Sequence, residues 1–333
     1  MGIREDAFER FDELMRDDGD FTLKLPVGDG HKYVIFSDLH LGNGKKTDRF
    51  SRNVETMIGA LKFYRQKGYG VILNGDIDDY HKYDSDVIRK AYGGTLFKEL
   101  KAFDRFFRIF GNHDIEWSLV DPIALSCKSA FEAVKLGDHI IVVHGHQAEE
   151  WYEKDLQIVR MGTTLNRVKE SIFGSLGSSY SFTQLPGKKD KIFADWAKDR
   201  RKIFIGGHTH RPVFASQSIY DWTEIKIKLL DREISAAQEA GDKDKVKALK
   251  KRRLWFRNRR RFVEKKIKTN NIRRIHLGAD DPFYFNCGGG IFSDGMTNLE
   301  IEGKIIRMAY WDNKTKEREN IWGDFDMATK VPI

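Results

Sequence analysis

Cysteine is scarce in this chain of 333 residues, which contains only Cys127 and Cys287. The two lie far apart and form no CxxC pair, so the sequence argues against a disulfide framework and against a thiolate zinc site. Long apolar segments are also missing, because no run reaches the roughly 18 apolar residues of a membrane-spanning helix. The opening stretch, MGIREDAFERFDEL, lacks the basic-then-apolar pattern of a signal peptide. We therefore expect a cytoplasmic protein with no membrane span.

Positive charge is unevenly distributed along the chain. Residues 242–275 contain 16 Lys and Arg against three Asp and Glu, a local charge of +13. Because the whole chain carries +8, the rest of it carries −5. The sequence therefore describes a mildly acidic body with one strongly basic segment, which is different from a generally basic protein. The composition, 40% hydrophobic and 32% charged, is otherwise typical of a globular protein.

Five short runs of β-branched and aromatic residues end abruptly in polar residues. They read KYVIFSD, YGVILNGD, RFFRIFGNHD, DHIIVVHGH and RKIFIGGHTHRP. Segments with helical spacing, such as RNVETMIGALKFYRQKG, lie between several of them. Buried strands that alternate with helices predict an α/β fold with a central sheet. Because ligands bind at the carboxyl ends of such strands, the five polar clusters mark a candidate site.

Two inserts and a second sheet complete the predicted organisation. Residues 147–200 have a mainly helical pattern, interrupted by FGSLGSSYSF, and predict a helical insert. A basic helical hairpin is predicted over about 222–270, with its turn at EAGDKD. The strand-like stretches FYFNCGGGIF, TNLEIEG and KIIRMAYWD follow, as in a second, antiparallel sheet. We expect residues 1–333 to form a single domain that carries both inserts.

The five clusters are rich in carboxylates and imidazoles, which are ligands for zinc, manganese and iron. In SDLH, alternation on an extended strand end places Asp38 and His40 on one face, and therefore on one ion. The same logic places His208 and His210 of GGHTH together. Asp76, at the end of a strand, can bridge two ions about 3.5–4 Å apart. Such ions would attract phosphate and lower the pKa of bridging water, so hydroxide would be the nucleophile and no serine or cysteine is needed.

The ordered set DxH, GDxxD, GNHD, HGH and GHTH resembles the calcineurin-like metallophosphoesterase family, over residues 33 to about 214 with a continuation to about 310. The resemblance implies a four-layer αββα sandwich of two mixed sheets with helices outside. It also implies two divalent ions, with manganese expected first and iron, zinc or magnesium as alternatives. The implied metal ligands are Asp38, His40, Asp76, Asn112, His144, His208 and His210.

The resemblance divides these ligands between two ions that share Asp76. One ion would be held by Asp38, His40, Asp76 and His210, and the other by Asp76, Asn112, His144 and His208. It further implies that His113 contacts the phosphoryl group and protonates the leaving oxygen, and that Asp114 orients His113. Asp79 is expected only as a hydrogen-bond partner. The histidines outside the motifs, His81 among them, are interpreted as ordinary surface or core residues.

Motif details and the basic segment together narrow the substrate. The Ser/Thr protein phosphatases of the family show GDxVDRG and GNHE, from which GDIDDYHK and GNHD depart. Trp255, Phe256 and Phe262 interleave with the cations of the Lys/Arg-rich segment 243–274, a pattern that suits a phosphate backbone. We therefore expect hydrolysis of a phosphodiester, in nucleic acid or nucleotides.

Two alternatives stay open from the sequence. GGHTHRP and the helical insert after HGH are similar to the UDP-2,3-diacylglucosamine pyrophosphatases, although those enzymes usually carry arginine at the position of His113. The other alternative is a non-catalytic nucleic-acid-binding protein on the same fold. Substrate assays with added metal separate all three.

Overall fold

The computed structural model describes residues 2–17, 21–118, 130–149, 185–270, 274–278, 281, 283–329 and 331–332. Within these ranges the helices are α1 (Ile3–Arg16), α2 (Val54–Gln66), α3 (Ser85–Tyr92), α4 (Leu96–Lys101), α5 (Lys188–Arg200), α6 (Ile219–Glu239) and α7 (Lys243–Asn270). Short 3₁₀ turns lie at Arg49–Asn53, Ile115–Ser118 and His146–Ala148. Cys127 and residues 150–184 of the predicted helical insert lie outside the described residues.

The strands are short, and most of them are buried. They are β1 (Thr22–Leu25), β2 (Gly28–Phe36), β3 (Gly70–Asn74), β4 (Phe106–Ile109), β5 (Ala130–Phe131), β6 (Ala133–Leu136), β7 (Ile140–Val143), β8 (Ile203–Gly206), β9 (Val213–Phe214), β10 (Gln217–Ser218), β11 (Tyr284–Asn286), β12 (Gly295–Gly303), β13 (Ile305–Asp312), β14 (Arg318–Asn320), β15 (Phe325–Asp326) and β16 (Val331–Pro332).

These strands form two mixed sheets. The first sheet has the order β1-β6-β7-β8-β11-β9-β10, in which β7, β8 and β11 are parallel. The second has the order β16-β15-β13-β12-β2-β3-β4-β5, with β14 paired to β13. In it β2 to β5 run parallel and β12 lies antiparallel beside β2. The predicted α/β architecture with two mixed sheets is therefore confirmed.

Alternation along the strands divides the core into layers. On β2, Tyr33 and Ile35 belong to the core between the two sheets, whereas Val34 and Phe36 belong to the core under the outer helices. Helices α2 to α4 cover the outer face of the second sheet, and α1 and α5 cover the outer face of the first. The order helix, sheet, sheet, helix is the four-layer sandwich that the resemblance implied.

Helix α2 shows how the sequence produces an outer layer. Its buried residues Met57, Ala60, Leu61 and Tyr64 follow one another at steps of three, one and three, which places them on one stripe. The helix ends just before Gly68, whose φ of 74° lies in the left-handed region that glycine adopts easily. The chain can therefore reverse at once into β3.

The predicted helical hairpin is formed by α6 and α7, which also pack against the sandwich. Trp222 and Leu230 of α6 and Phe256 of α7 belong to the core between the sheets. Trp255 packs against the same core, while 48% of Phe262 is exposed. The hairpin therefore packs against the core between the two sheets and is part of the folded body. Among the helices of the described ranges, none is long and apolar enough to cross a membrane.

Candidate metal centre

All the predicted metal ligands lie just beyond strand ends. Asp38 and His40 follow β2, Asp76 follows β3, Asn112 follows β4, His144 follows β7, and His208 and His210 follow β8. Because β2, β3 and β4 are parallel neighbours, their carboxyl ends meet at one edge of the second sheet. The backbone N–H of His208 donates to both carboxylate oxygens of Asp38, at 3.1 and 3.0 Å. This contact joins the strand ends of the two sheets.

One group of candidate ligands consists of Asp38, His40, Asp76 and His210, whose ligand atoms all lie within 4.8 Å of one another. His210 Nε2 lies 3.0 Å from Asp38 Oδ1 and 3.0 Å from His40 Nε2. Burial and the neighbouring His113 lower the pKa of His40 to about 3. His40 is therefore neutral, which is the form of imidazole that binds a metal ion.

A second group consists of Asp76, His144 and His208. His144 Nδ1 lies 2.9 Å from the carbonyl oxygen of Asn74, and its Nε2 lies 3.1 Å from Asp76 Oδ2. Burial lowers the pKa of His144, but the Asp76 carboxylate outweighs it and raises the pKa to about 9. The carboxylate that attracts this proton would equally attract a cation.

Two buried atoms at this site lack the hydrogen bond that buried polar atoms normally make, although one of them, His144 Nε2, lies close to the Asp76 carboxylate. Within the described part of the chain, neither His144 Nε2 nor Asn112 Oδ1 makes a hydrogen bond. Both lone pairs are suited to a divalent cation, and Asp76 belongs to both groups of ligands. The residues present therefore fit a pair of divalent ions that share one carboxylate.

The candidate ligands adopt an unusual backbone conformation. Positive φ angles occur at five of them, with values of 54° at Asp38, 48° at His40, 51° at Asp76, 64° at His208 and 53° at His210. The strands therefore stop before the ligands, and the extended alternation assumed from the sequence does not apply. Asp38 and His40 still reach one group, but His208 and His210 fall into different groups, so the expectation that GGHTH places them together was wrong. Such strained backbone is concentrated at functional sites.

Three glycines allow these side chains to approach the backbone closely. A Cβ atom at Gly75 would lie 2.4 Å from His144 Cγ, and one at Gly111 would lie 2.2 Å from Asp76 Oδ1. A Cβ atom at Gly207 would lie 2.0 Å from Ser37 Oγ. None of these distances is compatible with a side chain, so the GDxxD, GNHD and GGHTH motifs need glycine for space.

His113 is held by Asp79. Nδ1 of His113 lies 2.9 Å from Asp79 Oδ1, and the ring lies 4.6 Å from the ring of His40. Burial raises the pKa of Asp79, but the hydrogen bond and charge of His113 outweigh burial and lower it. The sequence assigned this contact to Asp114. It also missed His81, whose ring lies 4.2 Å from that of His113 and whose only signal is its place two residues after Asp79.

Asp114 is directed at the backbone and at Arg108. Its carboxylate accepts from the N–H groups of Ile77 at 2.9 Å and Gly111 at 2.6 Å, and from Arg108 Nη2 at 2.9 Å. Arg108 Nη2 also lies 2.7 Å from Asp78 Oδ2, and all three charged groups are buried. This cluster ties the loop after β3 to the loop after β4, which explains why the carboxylate of GNHD turns away from the histidine beside it.

A carboxylate that no motif predicted lies against His208. Glu149 Oε1 is 2.7 Å from His208 Nε2, and Lys189 Nζ is 3.2 Å from the same nitrogen and paired with Glu149. Burial raises the pKa of Glu149, but its hydrogen bond with His208 and the Lys189 ammonium outweigh burial and lower it to about 2. Glu149 follows HGH by three residues, which is too weak a signal to predict a contact with a motif 59 positions away.

Comparison with known proteins adds a family assignment. The family model described as calcineurin-like phosphoesterase matches residues 31–212, more than half of the chain. No curated protein matches this chain. The structure of Vacuolar Protein Sorting 29 from Cryptosporidium parvum is 11% identical, with a TM-score of 0.37 over 90% of this chain and 99% of that one. A dimetal phosphatase from Danio rerio is 11% identical, with a TM-score of 0.36 over 87% and 98%. All seven predicted metal ligands fall inside the family match.

Proposed function

The chain belongs to the calcineurin-like phosphoesterase family, and on that basis we propose that it is a hydrolase that cleaves a phosphodiester bond with the help of two divalent metal ions. One observation carries the proposal. Two groups of buried and half-buried side chains share Asp76, and His144 Nε2 of the second group makes no hydrogen bond within the described residues, nor does Asn112 Oδ1 in the loop after β4. Lone pairs of buried nitrogen and oxygen atoms that meet no hydrogen are available to a metal ion.

We assign the ligands by the two groups and add Asn112 to the second, as the resemblance of the motifs implies. The first ion is held by Asp38, His40, Asp76 and His210, and the second by Asp76, Asn112, His144 and His208. Imidazole ligands suit zinc and iron, and carboxylate and amide oxygens suit manganese and magnesium, so we expect manganese first, with iron, zinc and magnesium as alternatives. When bound, the two ions supply Lewis acidity and activate water for attack on phosphorus.

The protein's own contribution to the reaction is centred on His113. Its Nδ1–H donates to Asp79, and the imidazolium form, which also carries a proton on Nε2, would give that second proton to the oxygen that leaves phosphorus. Asp79 fixes the tautomer and orientation of the ring, as carboxylates beside catalytic histidines do. Asp114 acts one step further away, because its bonds to Ile77 and Gly111 fix the loops that carry Asp76 and His113.

Hydrolysis of model substrates tests this proposal. Protein stripped with EDTA and then given Mn²⁺ is expected to hydrolyse bis-p-nitrophenyl phosphate faster than p-nitrophenyl phosphate. The exposed surface variant Asp138→Asn is a matched control for loss of a carboxylate. Absence of hydrolysis with Mn²⁺, Fe²⁺, Zn²⁺ and Mg²⁺, in protein that binds two ions, would favour the non-catalytic alternative. A panel of UDP-sugar, cyclic nucleotide and oligonucleotide substrates then distinguishes the pyrophosphatase alternative from a phosphodiesterase that acts on nucleotides or nucleic acid.

The outward face of α7 supports nucleic acid or nucleotides as the substrate class. Exposed cations recur along the whole helix, interrupted by the exposed Leu254 and Asn258. The exposed cations of α7 are Lys243, Lys245, Lys247, Lys250, Lys251, Arg257, Arg261, Lys265 and Lys268. Trp255 and Phe256 are packed against the core, so Phe262 is the aromatic residue of the three that remains exposed enough to stack on a base. Binding through this face would therefore be mainly electrostatic.

The hairpin is also connected to the metal centre through the chain. Helix α6 begins after Ser218, which pairs with Val213, three residues beyond His210. Tyr220 of α6 donates to Glu264 of α7 at 3.4 Å, so the second half of α7 lies at the base of the hairpin. A strand of nucleic acid bound along α7 would thus lie on a hairpin whose base is close in sequence to the metal ligand His210.

Charge reversal on α7 tests the nucleic-acid proposal without disturbing the core. We expect the triple variant Lys247→Glu, Lys250→Glu and Lys251→Glu to bind a single-stranded oligonucleotide more weakly. The slope of log affinity against log salt should fall by about 2, since each phosphate contact contributes ~0.7. The matched control reverses exposed Lys62, Lys98 and Lys101 on α2 and α4. Equal binding by both triple variants would exclude this face.

A cytoplasmic location stays a prediction from the sequence.

A further inference from the structure

We propose that Glu149 is a positioning residue for the metal centre, which holds His208 in the tautomer that leaves Nδ1 free to bind the second ion. Lys189 holds the Glu149 carboxylate in place. This inference rests on the proposed function, because it assigns His208 as a ligand. It adds a carboxylate and a lysine that none of the five motifs contains.

The contact geometry fixes which nitrogen of His208 carries the proton. An ionised carboxylate only accepts hydrogen bonds and an ammonium group only donates them. At 2.7 Å, Glu149 Oε1 is the closer partner of Nε2, compared with 3.2 Å for Lys189 Nζ. Nε2–H therefore donates to Glu149, and Lys189 pairs with the carboxylate. The lone pair that remains on the ring belongs to Nδ1.

His144 shows the same arrangement with a different acceptor. Its Nδ1 faces the carbonyl oxygen of Asn74 at 2.9 Å, and its Nε2 lies beside Asp76 with no hydrogen bond to any described residue. Histidines that bind metal usually donate the other ring N–H to a carboxylate or a backbone carbonyl. Both histidines of the second group thus have the acceptor that a ligand histidine needs.

The partners of His208 are held by buried structure as well. Thr209, between the two histidines of GGHTH, donates to Asp190 Oδ1 at 2.8 Å, and Asp190 is fully buried. Asp190 Oδ2 accepts from the backbone N–H of Gly187 at 2.7 Å, which fixes the first turn of α5 where Lys189 lies. On the other side, the N–H of Glu149 donates to the carbonyl oxygen of His146 at 3.0 Å. The three groups therefore start from fixed positions.

Removal of the Glu149 carboxylate tests the inference through metal binding. On EDTA-stripped protein, calorimetric titration with Mn²⁺ should show two binding events in the wild type. We expect Glu149→Ala to lower the affinity for the second ion about 10–100-fold, the usual effect of losing such a partner. The affinity for the first ion should be unchanged. Glu149→Gln keeps an oxygen that accepts from Nε2 and should restore part of the loss. The absorption spectrum of the Co²⁺-loaded protein should change in Glu149→Ala.

The control variant is Asp195→Ala, which removes a carboxylate paired with Lys191 on the same helix as Lys189 and should bind both ions as the wild type does. Unchanged affinity of Glu149→Ala for the second ion would overturn the inference. Tighter binding would overturn it as well, because it would show that Glu149 blocks the nitrogen that binds the ion. A wild-type protein that binds fewer than two ions would overturn the proposed function itself. A melting temperature of the stripped variant equal to that of the wild type shows that the fold is intact.

Discussion

Asp79 Oδ1 lies 2.9 Å from His113 Nδ1, in a contact between the loop after β3 and the loop after β4. The pair places a buried carboxylate behind the imidazole that we assign as the proton donor. His40 and His81 surround the same ring, at centroid distances of 4.6 and 4.2 Å. His113 is therefore held on several sides, as a proton donor in a fixed position must be.

Removal of the His113 imidazole should separate turnover from metal binding. We expect His113→Ala to retain both ions and to lower turnover about 10²–10⁴-fold, the usual contribution of general acid catalysis. Asp79→Asn should lower turnover less, since the imidazole remains. Turnover is measured on bis-p-nitrophenyl phosphate and metal content by mass spectrometry. Loss of an ion in His113→Ala would identify His113 as a ligand.

Substitution of Asp76 should affect both ions at once. Asp76 belongs to both ligand groups, and its Oδ1 also accepts from the backbone N–H of His113 at 2.9 Å. We therefore expect Asp76→Asn to abolish turnover and to lower metal content below one ion per chain, whereas His208→Ala should lose mainly the second ion. A stoichiometry of two in Asp76→Asn would contradict the sharing of this carboxylate.

Arg108 should be important for stability. It is buried between the carboxylates of Asp78 and Asp114 and lies 3.4 Å from the ring centre of Trp117. Removing the cation leaves two buried carboxylates without their partner, which costs about 3–5 kcal/mol. We expect Arg108→Met to lower the free energy of unfolding by that amount in urea titration. Arg52→Met, at an exposed position, should change it by less than about 0.5 kcal/mol.

Asp12 should make stability depend on pH. Its carboxylate accepts from Trp196 Nε1 at 2.9 Å and from Arg200 Nη2 at 2.7 Å, which joins α1 to α5. Burial raises the pKa of Asp12, but these hydrogen bonds outweigh burial and lower it below its usual value. A lowered pKa in the folded state stabilises the protein above the unfolded pKa of about 4, and this contribution is lost as the pH falls below it.

Asp12→Asn should therefore be less stable than the wild type at pH 7, by about 0.5–1 kcal/mol because the pair is partly exposed. The difference should shrink as the pH approaches 3. Urea titrations of both proteins between pH 3 and pH 7 measure it, and Asp6→Asn on the same helix is the control. A difference that stays constant with pH would show that the carboxylate charge is not the cause.

The sequence predicted those features that depend on neighbouring residues. Each predicted ligand sits one to four positions beyond a strand end, so the parallel strands β2 and β3 alone bring Asp38 and Asp76 to one edge of the second sheet. The spacing of α2 likewise predicts its buried stripe. Which carboxylate meets His113 was predicted incorrectly, because that choice depends on left-handed turns and on a buried arginine, Arg108, that no short motif reveals.

Contacts between distant segments could not be predicted. Glu149 and Lys189 meet His208 across 59 and 19 positions, and neither belongs to a recognisable pattern. The aromatic residues of α7 illustrate the same limit. Their helical period is visible, but the sequence does not show that the core between the sheets extends far enough to cover Trp255 and Phe256.

The close approach at Gly75, Gly111 and Gly207 has a consequence for judging natural variants of this chain. Even a methyl group at Gly111 would overlap a carboxylate oxygen of Asp76. A variant can thus keep every metal-binding side chain and still be inactive through a change from glycine to alanine. A count of intact metal-binding residues would then overestimate the number of relatives that are active enzymes.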